Sequence, residues 1–137
     1  MFSFAFSALR KSRTAKPKRD PLSPLNYPFE DPMPKVALGI IKIGHEAGAV
    51  RIWITELVRQ GVPIENESVE GTKTLSQRWP SYLYEPLENQ YRKECELSLD
   101  KSPVELKGTF NSDFGRIGTT IIPSPQRQIV LEFLPPA

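Results

Sequence analysis

The sequence predicts an α+β protein: a small single domain with a mostly antiparallel sheet and one or two short helices, preceded by a disordered basic, proline-rich arm. Three observations carry that expectation. The chain has 137 residues, enough for one hydrophobic core. Its fourteen prolines are unevenly placed, with six between Pro17 and Pro34. From Glu94 onward, short runs of alternating apolar and polar residues recur between turn signals, the pattern of half-buried strands.

Charge divides the chain in nearly the same place. Residues 1–19 carry Arg10, Lys11, Arg13, Lys16, Lys18 and Arg19 and no acid, while the rest hold twelve basic and sixteen acidic side chains. The net charge of +2 therefore averages a cationic arm with an acidic body. Each proline fixes its own φ and turns its predecessor away from helical angles, so residues 17–34 are expected to be extended and solvated. The expected division is an arm over 1–34 and a compact domain over 35–137.

In chain order, Val36, Leu38, Ile40, Ile41 and Ile43 form an apolar run rich in β-branched residues that reads as a buried strand, broken at residues 44–48. Residues 49–60 fit two templates. As a strand, Val50, Ile52 and Ile54 alternate with Arg51, Trp53 and Thr55. As a helix, Val50, Trp53, Ile54, Leu57 and Val58 line one face and Gly61 ends it. The helical template takes in more apolar positions, so helix is expected. Residues 62–93 are polar and punctuated by Pro63, Pro80 and Pro86, with Leu75, Trp79, Tyr82, Leu83, Leu87 and Tyr91 suited to one or two helical turns on a sheet. Cys95, Leu97 and Leu99 alternate with Glu94, Glu96 and Ser98 as a strand, and residues 100–103 suit a hairpin turn. Val104, Leu106 and Phe110, then residues 117–122 and 128–134, complete an antiparallel meander of four strands.

The motifs point away from catalysis. Gly39 and Gly44 have the spacing of a phosphate-binding loop, but His45 and Glu46 stand where it needs lysine and a hydroxyl, so a turn after a strand is expected. Asp113, Phe114 and Gly115 spell the metal-binding tripeptide of kinases without its companion motifs. Gly115 and Gly118 match the GxxG loop of an RNA-binding module, where a β-turn is expected instead. His45 and Cys95 lack a third group to orient the imidazole, so Cys95 is expected to be a buried, inert thiol on the apolar face of its strand. Glu65, Glu67 and Glu70 read as a solvated acidic loop. Asn66, Glu67 and Ser68 spell a glycosylation sequon with no secretory signal to give it meaning. One cysteine excludes an internal disulfide, one histidine argues against a His-rich metal site, and no run of apolar residues is long enough for a spanning helix. No catalytic residue, metal or cofactor is expected.

The amino-terminal residues are more informative. Phe2, Phe6 and Leu9 fall on one helical face, and six cations follow within ten residues. That combination suits an anionic membrane surface. The cations alone suit nucleic acid, and the lack of acids also suits an organellar transit peptide or a solubilising tail. Lys18, Pro21 and Pro24 have the spacing of a ligand for SH3-type grooves. The expected function is therefore non-enzymatic: a structural or interaction protein, matrix-like or accessory. Its arm (Phe2, Phe6, Leu9, Arg10, Lys11, Arg13, Lys16, Lys18, Arg19) contacts an anionic membrane or nucleic acid, and its body mediates protein–protein assembly or self-association. No small-molecule substrate is evident. Small viral matrix or accessory proteins share this general organisation, though no motif assigns the chain to such a family. The expected location is intracellular, whether cytoplasmic, membrane-associated or nuclear. The alternative is an organelle-imported subunit of a larger complex, in mitochondrion or plastid, whose first 20–35 residues are removed.

Overall fold

The computed structural model describes residues 31–100 and 104–136. The first element is a helix rather than the expected strand. α1 spans Met33–Glu46, with Pro34 in its first turn, where a missing N–H costs nothing and a fixed φ is already helical. Residues 33 and 34, placed by the sequence in an extended stretch, thus open a helix. Met33, Ala37, Ile40, Ile41 and Gly44 are buried at helical spacing, while Leu38 and Ile43 stand 38% and 42% exposed. The β-branched run misleads because isoleucine carries only a modest helix penalty, which burial of a whole face outweighs. Gly39 and Gly44 both lie inside this helix, and the break expected over 44–48 falls at its end, where Ala47 and Gly48 turn the chain toward the next element.

The expected helix over 49–60 is likewise a strand. β1 spans Arg51–Thr55, with Ile52 and Ile54 buried and Arg51, Trp53 and Thr55 on the other side. Gly61 does not cap a helix. It takes φ +79° in the hairpin leading to β2, and a Cβ there would lie 2.5 Å from the Trp79 carbonyl oxygen. β2 (Val62–Glu67) and β3 (Lys73–Trp79) were not expected, because their polar residues mask the alternation. A 3₁₀ turn at Ser81–Leu83 leads into α2, Tyr84–Glu94, where Leu87 and Tyr91 are buried as a helix on a sheet requires.

Beyond α2 the expected strand from Glu94 to Leu99 does not form. Glu96 adopts φ +58°, its N–H donates to the Lys93 carbonyl at 3.0 Å, and the Leu97 N–H donates to the Arg92 carbonyl at 2.7 Å. This is the Schellman closure of a helix end, and it turns the alternating residues into a cap and loop. β4 (Leu106–Ser112), β5 (Gly115–Ile122) and β6 (Gln128–Leu134) form the expected meander, although its fourth member is β1. The turn between β4 and β5 is at Asp113 and Phe114; Gly115 and Gly118 lie within β5, which corrects the turn expected across them.

The six strands form one antiparallel sheet in the order β3-β2-β1-β6-β5-β4. Ile52, Ile54, Ile64, Ile117, Ile129 and Leu131 point from one face into a core shared with α1 and α2. The Tyr91 hydroxyl donates to the Ala37 carbonyl at 2.9 Å, tying the two helices together. Gly44 brings α1 onto β1, since a Cβ there would meet Ile52 Cδ1 at 2.5 Å. The result is an α+β domain with both helices on one side of its sheet.

Candidate functional site: the uncovered face of the sheet

Residues paired directly opposite on neighbouring strands share a face. On the face turned from the helices, the register aligns Lys73, Glu67, Arg51 and Glu132 across β3, β2, β1 and β6. The adjacent row runs Leu75, Glu65, Trp53, Val130, Thr120 and Lys107. Among the described residues no helix or strand lies over this face, and none of these side chains joins the core under α1 and α2.

The first row alternates in sign. Arg51 Nη1 lies 3.1 Å from Glu67 Oε2, and Arg51 Nη2 lies 3.8 Å from Glu132 Oε2. Trp53 Nε1 donates to Glu67 Oε1 at 2.7 Å, and Lys73 Nζ stands 3.8 Å from the Trp53 ring centroid. Arg51 is 40% and Glu132 48% exposed, so such pairs contribute at most about 1 kcal/mol each. They order the face more than they stabilise the fold. Leu75, on the edge strand, is 51% exposed. Apolar groups thus lie beside a charge row whose signs cancel.

Two other features lie elsewhere in the domain. A half-open groove of about 260 Å³ lies between α1, α2 and β4, lined by Ala37, Leu38, Ile41 and Phe110 with Glu94 and Asp113. Beside α2, Arg92 pairs with Glu88 at 3.0 Å, both almost fully buried, and Arg127 reaches Glu88 at 3.4 Å. Arg92 also donates to the Ser98 carbonyl at 2.8 Å, and the Arg127 guanidinium lies 4.8 Å from the Tyr84 ring. Burial first, then the Glu88 carboxylate, holds the Tyr84 phenol protonated far above its ordinary range. With its charges paired inward, this cluster fixes α2 and the loop after it. Among the described residues no group of three or more histidine, cysteine, aspartate and glutamate side chains could hold a metal. Nor is any helix among them long and apolar enough to cross a membrane.

The site residues read from the sequence, Phe2, Phe6, Leu9, Arg10, Lys11, Arg13, Lys16, Lys18 and Arg19, lie outside the described residues, as do Pro21 and Pro24. His45 stands in the last turn of α1, its ring 5.4 Å from that of Phe114 and 6.0 Å from that of Phe133. Cys95 instead caps α2 beside Gly108, half-buried, so it is not on a strand face as expected. Glu65 and Glu67 belong to β2 rather than an acidic loop. Sequence reasoning therefore missed the acidic half of the uncovered face. The signal was there: Glu65 and Glu67 follow Val62 and Ile64 at strand spacing, opposite the alternation already visible at Arg51 and Trp53.

No family model matches this chain, and no curated protein sequence matches it significantly.

Proposed function

We propose that this chain is a non-enzymatic assembly protein whose body binds protein through the uncovered sheet face and whose basic arm holds an anionic membrane or nucleic acid. The observation that carries the reading is the one-sided placement of α1 and α2, which leaves Trp53, Leu75 and Val130 beside a charge-balanced row. Nucleic acid would call for net positive charge on that face, and a lipid surface would call for fewer acids. Mixed apolar and balanced polar groups are what protein interfaces use. The arm supplies the separate cationic signal, worth about 1 kcal/mol per lysine or arginine near an anionic leaflet.

Tagged full-length protein drawn from cells is expected to elute above monomer mass, and Leu75→Glu/Val130→Glu at monomer mass with an unchanged circular-dichroism spectrum. Wild type eluting as a monomer removes the assembly half of the reading. For the arm, Phe2→Ser/Phe6→Ser and neutralisation of four cations should both abolish binding to anionic vesicles if the surface is a membrane. On an oligonucleotide only the charge variant should fail, with affinity falling linearly in log salt.

A further inference from the structure

We infer that the partner of the uncovered face is a second copy of this chain, packed face to face about a two-fold axis parallel to the strands between β2 and β1. This rests on the assembly reading above and names its partner. The two copies complement one another in charge. Across β3, β2, β1 and β6 the row reads Lys73, Glu67, Arg51, Glu132: positive, negative, positive, negative. A two-fold axis through its midpoint reverses the order in the second copy. Lys73 then faces Glu132 of the other copy, and Glu67 faces Arg51, each contact occurring twice. In the neighbouring row the same operation sets exposed Leu75 against Val130 and Glu65 against Trp53. A two-fold axis running across the strands would instead set each charge against its own kind, so the pattern selects one orientation.

The geometry tolerates sheet twist. Aligned sheets pack with their strands about 30° apart, which moves the outer pairs, roughly 7 Å from the axis, by only about 4 Å. Lysine and glutamate side chains span that shift. The overlap takes in four strands, the small end of specific interfaces, so association must be followed across a range of concentrations.

The test is sedimentation equilibrium of the purified full-length protein and three variants at low and high salt. Lys73→Glu and Glu132→Lys each place like charges opposite one another at both ends of the interface, and each should weaken association by at least about tenfold. The double variant Lys73→Glu/Glu132→Lys restores opposite signs and should recover it. Both positions are exposed, and circular dichroism checks the fold. Should either single variant unfold, Leu75→Glu must still weaken association. A wild type that stays monomeric at every concentration overturns the inference, as does a double variant no better than the singles. If the purified chain is monomeric but elutes as a large species from cells, another protein occupies the face: this inference falls and the assembly reading stands. Monomer in both settings removes both.

Discussion

Cys95 meets three elements at once: it closes α2, lies against Gly108 of β4, and has the Thr119 hydroxyl of β5 beside it. Burial pushes its thiol above the ordinary range, the Thr119 hydroxyl works the other way, and the Glu94 carboxylate adds to the rise. The thiolate is the nucleophile, so alkylation at pH 8 is expected to be slower than in the unfolded chain and to catch up only at higher pH. The native state holds this proton more tightly than the unfolded chain, so the thiol's contribution to stability is full below the ordinary thiol pKa. It fades as pH rises through the raised native value. Equal alkylation rates at pH 8, folded and unfolded, would contradict this. The sequence reading places this thiol buried on a strand face, whereas it is half-buried at a helix end. Alternation of Cys95, Leu97 and Leu99 is also what a helix end followed by a loop produces by chance.

At the scale of elements, the end of α2 carries a correctable cost. Glu96 holds φ +58°, where a side chain crowds its own backbone and glycine does not. Both closing hydrogen bonds come from backbone N–H groups, so they survive loss of the side chain. Glu96→Gly is expected to raise stability by about 0.5–1 kcal/mol in urea unfolding, the left-handed penalty less glycine's greater freedom when unfolded. A loss of stability would mean that the carboxylate matters more than the backbone. The same region shows why some elements were legible and others were not. β5 and β6 alternate cleanly, with Ile117, Thr119 and Ile121 of β5 inward and their neighbours outward, so period two is visible. β3 is an edge strand, where polar residues are favoured, and β2 ends in the polar run Glu65, Asn66 and Glu67, which hides its period. The segment forming β1 fits both periods, while the one forming α1 reads as a strand and yet buries a helical face. What decided between them was tertiary: β1 is bordered by strands on both sides, whereas α1 crosses the sheet with Gly44 pressed onto Ile52. No local pattern encodes that. The charge row was illegible for the same reason, since its members come from four strands and meet only through register.

For the whole molecule, pairing through the sheet face would change what the arm does. Each copy brings one arm with six cations, so a dimer carries two. When the first arm is bound, the second meets the surface at a high effective concentration, and avidity can exceed single-arm affinity by about 10²–10⁴ without any new contact. Arms separated by more than a Debye length, about 8 Å at physiological salt, barely repel, so the gain is not cancelled by their like charge. Lys73→Glu, which leaves every arm residue intact, is therefore expected to weaken binding to anionic vesicles at least tenfold. The double variant Lys73→Glu/Glu132→Lys should recover that binding in parallel with its dimerisation. Vesicle co-sedimentation, carried out above and below the concentration at which the purified protein dimerises, measures this directly. Below that concentration wild type and Lys73→Glu should bind alike, because both are then single-armed. A Lys73→Glu protein that binds as tightly as wild type at every concentration would show that the arms act alone, and that the sheet face and the anionic surface are uncoupled.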